Sequence, residues 1–273
     1  MKRACILYER HDAEKSRVLI RKYFDALRGA GYRVGLTITN GLPREAALRL
    51  VSSAAFVINR TRDAALAEYL EENGVFVSNP SVLTRTANDK YLTYERLHGL
   101  VPMLETQLLT EAAPPLPFPF IAKPAAGHGG AGVTLIRSAE ELAAYRAAHS
   151  ERSVIQPVAS VLGRDMRVYV IGGKPAAAML RSSDTDFRSN FSLGGRAETV
   201  PVSELARDEA EIVRAVCREL PLHYAGVDIM HDNGRAVLNE IEDPVGARML
   251  YINTAIDPAR LHAEYLESLT NGK

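Results

Sequence analysis

The chain has two cysteines in 273 residues, no tryptophan and no excess of charge of either sign. Cys5, in an expected strand, and Cys217, in an expected helix, are too few for a disulfide framework or a zinc cluster. Buried free thiols fit a reducing, cytoplasmic setting better. Lys+Arg and Asp+Glu are both 33, so no global pull toward nucleic acid or an anionic membrane is expected. No apolar run approaches a membrane span, and the N-terminal one is too short for a signal peptide. No Ser-His-Asp order, Cys-His pair, zinc spacing or dinucleotide glycine fingerprint stands out, which weighs against acyl-enzyme hydrolysis and nicotinamide chemistry. There is no internal repeat and no low-complexity tract. The length allows two or three small domains with a sizeable core.

The most informative segment lies toward the C-terminal end. Val237-Leu238-Asn239-Glu240-Ile241-Glu242-Asp243 follows an apolar run that contains Asp228, across the turn His231-Asp232-Asn233-Gly234. Side chains on a strand repeat every two residues, so Glu240 and Glu242 share a face. If the two runs pair as a hairpin, Asp228, Glu240 and Glu242 converge. Converging carboxylates repel one another and are costly to desolvate. A hard divalent cation is the usual compensation, and Mg²⁺ prefers a few carboxylate oxygens plus phosphate oxygens. A solvated acidic face on an edge strand is the alternative.

Strands expected over 4–8, 33–39, 55–59 and 75–78 alternate with helices over 13–30, 44–52 and 64–72. Such alternation argues for a parallel sheet covered by helices. The pattern then changes. A helix is expected over 80–98, with Asn79 as N-cap before Pro80. Strands over 120–123 and 133–136 flank a glycine-rich loop, and a helix over 139–148 starts with a capping box from Ser138 and Glu141. Strand 153–157 precedes a hairpin of 164–171 with 174–181. A helix over 203–220, a second hairpin of 224–230 with 235–241, and a closing helix over 258–270 follow.

The loop Pro124-Ala125-Ala126-Gly127-His128-Gly129-Gly130-Ala131-Gly132 holds four glycines in six positions. Its backbone N–H groups can turn toward an anion. It joins two strands and lacks the P-loop Lys-Ser/Thr, so it reads as a flap over phosphates, with a floppy hairpin tip as the alternative. Lys123 before it adds a point charge. His128 reads as a loop-tip residue rather than a general base. Lys90 falls inside the expected helix 80–98; alone it would be solvated, but with Lys123 it could neutralise successive phosphates. Arg167, Arg181 and Arg188 could bind carboxylates or phosphates through their forks, or form strand-end salt bridges with Asp165 or Asp184. Glu9, Arg10, Asn59 and Arg60 follow strand ends, where open α/β sheets bind ligands.

In order, Asn88-Asp89-Lys90, Phe120-Ile121-Ala122-Lys123-Pro124 with its glycine loop, Gly163-Arg164-Asp165-Met166-Arg167-Val168-Tyr169-Val170, Phe187-Arg188-Ser189-Asn190, Ala225-Gly226-Val227-Asp228 and Asn239-Glu240-Ile241-Glu242 resemble the ATP-grasp superfamily. The similarity is to its branch of ribosomal-protein glutamate ligases and glutathione synthetase-like enzymes, and it covers nearly the whole chain. It implies a mixed α/β and α+β fold: an N-terminal parallel α/β domain over 1–79, a small subdomain with the glycine loop over 80–157, and a C-terminal subdomain with the metal site over 158–273. ATP would lie between the last two. The resemblance implies Lys90 and Lys123 on the phosphates, the backbone of Gln156, Pro157 and Val158 on adenine, and Asp165 toward the ribose. Gly127, His128, Gly129, Gly130 and Gly132 would close over the nucleotide. Arg167 and Arg188, with Asn190 beside them, would bind the transferred phosphate or the carboxylate substrate. Asp228, Glu240 and Glu242 would hold two Mg²⁺ ions, with Mn²⁺ as a substitute.

Three departures stand out. The family commonly has Asn at the position of Glu242, continues there toward Pro-Gly where this chain reads Asp243-Pro244-Val245-Gly246, and has an acidic residue where Pro157 removes an N–H. The resemblance implies an ADP-forming ligase that joins a small-molecule or peptide carboxylate to an amine through an acyl-phosphate. Glu242, Asp184 and Asp186 are weak candidates for the base. A kinase-like phosphotransferase and a non-catalytic nucleotide-binding module on the same fold stay open, as does a homo-oligomer.

Overall fold

A computed structural model of the chain describes residues 1–110, 116–184 and 195–271. Strands β1 (Arg3–Tyr8), β2 (Arg33–Ile38), β3 (Phe56–Asn59) and β4 (Val77–Ser78) form a parallel sheet in the order β2-β1-β3-β4. Between them run α1 (Arg10–Lys15), α2 (Arg17–Gly29), α3 (Arg44–Val51) and α4 (Ala64–Glu72). Alternation along the strands explains both cores. Ala4, Ile6, Phe56 and Ile58 pack on Leu19, Tyr23 and Leu27 of α2. Cys5, Leu7 and Val57 face Ala47, Val51 and Leu70 on the other side. Strands covered on both faces read as unbroken apolar runs in sequence.

The helix expected over 80–98 is two helices, α5 (Ser81–Ala87) and α6 (Lys90–Leu97). The Asp89 carboxylate accepts from the backbone N–H groups of Tyr91 and Leu92 at 2.9 and 3.0 Å. That N-cap starts a new helix, so Lys90 is its first residue rather than a mid-helix one. Asn79 is not a cap. Its amide nitrogen donates to the Tyr224 carbonyl and to Asp243, both at 2.7 Å, and its oxygen accepts from the Tyr224 N–H at 2.8 Å.

β5 (Gln107–Leu108), β6 (Phe120–Pro124), β7 (Thr134–Ile136) and β8 (Ser153–Pro157) make an antiparallel sheet, β5-β8-β6-β7, covered by α7 (Ala139–Ala148). A third sheet, β11-β10-β9-β12-β13, is built from β9 (Arg164–Ile171), β10 (Lys174–Ser182), β11 (Arg196–Val200), β12 (Tyr224–Asp232) and β13 (Arg235–Glu242). One face buries Val168, Val170, Val227 and Ile229 against Ile212, Val213 and Val216 of α8 (Arg207–Glu219). On the other face Tyr169, Met179 and Tyr224 pack on Met249 and Leu250 of α9 (Arg248–Asn253). Packing crosses the sequence boundary near residue 79 in both directions. Leu83 and Leu97 join the core of the third sheet. The closing helix α10 (Pro258–Asn271) returns to put Ala259, Ala263 and Leu266 into the core of the first. No helix among the described residues is long and apolar enough to cross a membrane.

Candidate active site

The strand register assembles the acids. β12 and β13 pair antiparallel with Asp228 opposite Glu240 and Gly226 opposite Glu242, and β9 lies on the other side of β12 with Arg167 opposite Asp228. One residue is bulged out between the Asp228–Glu240 and Ile229–Leu238 pairs. The bulge lets Leu238 and Ile241, three apart, both reach the core beneath, which strict alternation forbids. It also turns Asn239 and Glu240 together into the cleft. Oxygens of Asp228, Glu240 and Glu242 lie within 4.8 Å of one another. A Cβ at Gly226 would lie 3.0 Å from Val245 Cγ2 and 3.3 Å from Glu242 Cβ, so any larger residue would press on Val245 and Glu242.

Two arginines hold this cluster. Arg167 grips Asp228 with both ends of its fork, Nε to Oδ1 at 2.7 Å and Nη2 to Oδ2 at 2.6 Å, and Nη2 also donates to Glu242 at 3.0 Å. Arg181 grips Asp165 in the same way and reaches Asp228 Oδ2 at 2.6 Å. Burial pushes the Asp228 carboxyl up, but the two guanidiniums more than offset that and hold it below the usual carboxylate range. Glu240 accepts no hydrogen bond among the described residues. Burial raises its pKa; Lys90 opposes the rise, and Asp228 and Glu242 add to it. Hard oxygen donors, one of them left without a partner, fit a divalent cation such as Mg²⁺.

Glu240 borders a cleft that runs between the second and third sheets. Lys90 and Lys123 line it together with Glu240. Lys123 is 6 % exposed; burial brings its pKa down to about 8, Glu240 opposes the fall and Lys90 deepens it. Lys90 Nζ donates to the Gly127 carbonyl, and its backbone N–H to Ala125 O at 2.9 Å, which ties α6 to the glycine loop. Gly129 and Gly130 take positive φ, 63° and 79°, and line the cleft with Gly127. Gln156 and Pro157 also line it, and the Gln156 side-chain amide donates to Thr106 Oγ1 at 2.6 Å.

Other expected residues lie elsewhere. Val158 is not on the cleft lining, whereas Ala159 is. Gly132 packs on Pro124, whose ring would be 2.8 Å from an added Cβ, and lies outside the cleft lining. His128 is exposed at the loop tip. Asp184 is exposed and paired with Arg196. Arg188, Asn190 and Asp186 fall outside the described residues. Asp165 borders the cleft, but both its oxygens already accept from Arg181. Arg181 takes the expected salt bridge with Asp165 rather than a ligand, and Asn239 was not among the expected site residues. The Asp165/Arg181 spacing across a hairpin signalled the first; the bulge that delivers the second leaves no mark but the apolar pair Leu238 and Ile241.

Comparison with known proteins bears on the fold and the family. Residues 102–266 match the family model described as the RimK-like ATP-grasp domain. Beta-citrylglutamate synthase B of Danio rerio is 30% identical over 256 residues, which is 88% of this chain and 61% of that protein. A probable alpha-L-glutamate ligase of Xanthomonas euvesicatoria is 29% identical over 219 residues, 74% of this chain and 72% of that one. Among solved structures, D-alanine–D-alanine ligase from Bacillus anthracis superposes with a TM-score of 0.74 at 15% identity, covering 100% of this chain and 98% of that one. An ATP-grasp protein with a RimK domain from Sphaerobacter thermophilus gives 0.72 at 18% identity, covering 97% and 99%. The fold class and the family expected from the motifs are both borne out. With more than half its length inside the family model, the chain belongs to the RimK-like ATP-grasp family.

Proposed function

We propose that the chain is an ATP-dependent carboxylate–amine ligase that works through an acyl-phosphate and releases ADP and phosphate. The observation that carries this reading is a cluster of three carboxylates, one of which, Glu240, lines a cleft together with two lysines and a glycine loop. ATP enters with its base against the backbone of 156–159 and its phosphates between Lys90 and Lys123. Phosphoryl transfer needs positioning and charge neutralisation more than covalent help. Lys90 and Lys123 neutralise the phosphates, and the backbone of Gly127, Gly129 and Gly130 covers them and keeps water from the acyl-phosphate. Asp228, Glu240 and Glu242 would hold Mg²⁺, one ion or two, which when bound neutralises phosphate oxygens. Arg167 orients Asp228 and Glu242; Arg181 joins that group to Asp165. Arg188 and Asn190 are proposed to meet the transferred phosphoryl group. The carboxylate oxygen attacks the γ-phosphorus and ADP leaves; the amine then attacks the acyl carbon and phosphate leaves.

The units 1–79, 80–157 and 158–273 are proposed as functional divisions, the first shaping the substrate side. Glutamate is the first substrate to try, because the names of two relatives contain it. The test is release of ADP and phosphate from ATP with pairs of acids and amines, with mass spectrometry of the products. A ligase releases both only when acid and amine are present. Phosphate retained on a product would instead mark a kinase, and no turnover with any pair a binding module.

A further inference from the structure

We infer that Arg60, Tyr8 and Tyr224 form a carboxylate-receiving site at the C-terminal edge of the first sheet, which anchors one of the two ligase substrates. The site shares no residue with the ATP cleft, and its assignment to a substrate rests on the ligase reading above.

The parallel register builds it. Leu7 pairs with Asn59, and the Arg60 N–H donates to the Leu7 carbonyl at 3.0 Å. Tyr8 and Arg60, the next residues, therefore stand side by side on the face that carries Ile6 and Ile58. From the third sheet, the Tyr224 ring lies 5.1 Å from the Arg60 guanidinium carbon. Arg60 is 3% exposed, Tyr8 1% and Tyr224 0%.

The polar atoms do not balance. Arg60 Nη2 donates to the Val245 carbonyl. Arg60 Nε and Nη1 and both tyrosine hydroxyls are buried without a well-aligned hydrogen bond among the described residues. The Tyr8 hydroxyl lies near enough to favour the guanidinium's charge, and no described carboxylate forms an ion pair with Arg60, whose charge reaches Asp243 only at longer range. Asp243 is engaged by Asn79 at 2.7 Å and Thr84 at 2.9 Å. A buried guanidinium without a counter-ion is costly, and so is each unmade hydrogen bond around it. A planar fork flanked by two hydroxyls suits a carboxylate, which can accept two parallel bonds. One positive charge matches one negative charge; the second charge of a phosphate would stay uncompensated. The place is also right, since open α/β sheets bind ligands beyond the carboxyl ends of their strands. Val245 follows Glu242 by three residues, so an anchored substrate lies next to the acid hairpin. The ligand is then an amino acid or diacid bound through a carboxylate other than the reacting one.

The full chain is titrated with L-glutamate, citrate, succinate and inorganic phosphate, without ATP or metal, while its melting temperature is followed. At least one carboxylate, and not phosphate, is expected to raise it, and Arg60→Met to abolish that rise. Under turnover, Arg60→Met should raise the KM of one organic substrate at least about tenfold, the loss expected for a charge-assisted contact, and leave the KM of ATP unchanged. Should Arg60→Met not fold, Tyr8→Phe, which removes one hydroxyl, carries the same test with a smaller shift in KM. No melting response to any carboxylate, or a response that phosphate reproduces, overturns the site. So does an active ligase whose variants keep both substrate KM values. A carboxylate response lost in Arg60→Met, in a chain that makes no amide, would leave the site standing and remove the ligase reading.

Discussion

Two buried arginine groups flank the loop 243–246, and they are built in opposite ways. Around Arg167 and Arg181, two guanidiniums meet Asp165, Asp228 and Glu242, with Glu240 close by. Formal charges of +2 and −4 leave −2, and Glu240, which carries part of that surplus, lines the cleft with Lys90 and Lys123. Around Arg60 the surplus is a single positive charge with one carbonyl for a partner. Burial alone therefore says little about role. The sign left over after local pairing says what each group would accept: a cation with phosphates at the first, an anion at the second.

Breaking the first group should cost most. Arg181→Met strips Asp165 of its partner and Asp228 of one of two, and uncompensated buried charge of this kind costs about 3–5 kcal/mol. Urea unfolding of the variant measures it; a loss under about 1 kcal/mol would mean that water already reaches the cluster. Next comes Glu240→Gln. It removes one of the surplus charges without an ion pair to break, so ATP-dependent turnover should fall at least about 100-fold, beyond what losing an outer-shell partner of a metal costs. Folding stability should hold, because burial already disfavours this carboxylate. Wild-type turnover in Glu240→Gln would remove the metal reading.

Much of the first group was legible in the sequence, and little of the second. Period-two spacing gave Glu240 and Glu242 a common face, and a turn at Asn233-Gly234 brought Asp228 opposite. Local rules suffice for such a hairpin. The grip of Arg181 on Asp165 follows from a second hairpin, yet the fork's choice between solvent and Asp228 depends on β12, which is distant in sequence. Apolar spacing that runs through residues 88–89 places Lys90 mid-helix, while the Asp89 cap that breaks the helix is a local competitor. Asn79 reads as a cap, but a partner 145 residues away takes its side chain. Arg60 was visible only as a residue after a strand. Its burial comes from Tyr224 and Val245, both long-range partners.

A pH titration sharpens the charge balance at the lysine wall. With its pKa near 8 in the free protein, Lys123 is mostly charged at neutral pH and loses its proton as pH rises past 8. The charged form attracts phosphate, so ATP binding should weaken above that point, by at most tenfold per pH unit, and hold steady below it. Calorimetric ATP binding from pH 7 to 9.5 follows the change. Lys123→Arg, always charged, should flatten the profile. A slope that persists in this variant would assign the titration to another group.

The smallest expected effect separates the two arginine groups most cleanly. Arg60→Met replaces the guanidinium with a side chain of similar volume and breaks no ion pair among the described residues. Lost are one bond to the Val245 carbonyl and the contact over the Tyr224 ring. Gained is relief from burying an unpaired charge, which offsets both. Unliganded stability should thus stay within about 1 kcal/mol of wild type, against the severalfold larger loss in Arg181→Met under the same urea series. A large loss in both variants would mean that Arg60 is a brace between the first and third sheets, its carbonyl contact outweighing the unpaired charge. A large loss only in Arg181→Met leaves Arg60 as a charge kept at a cost in the absence of its ligand, and such a charge is retained for binding.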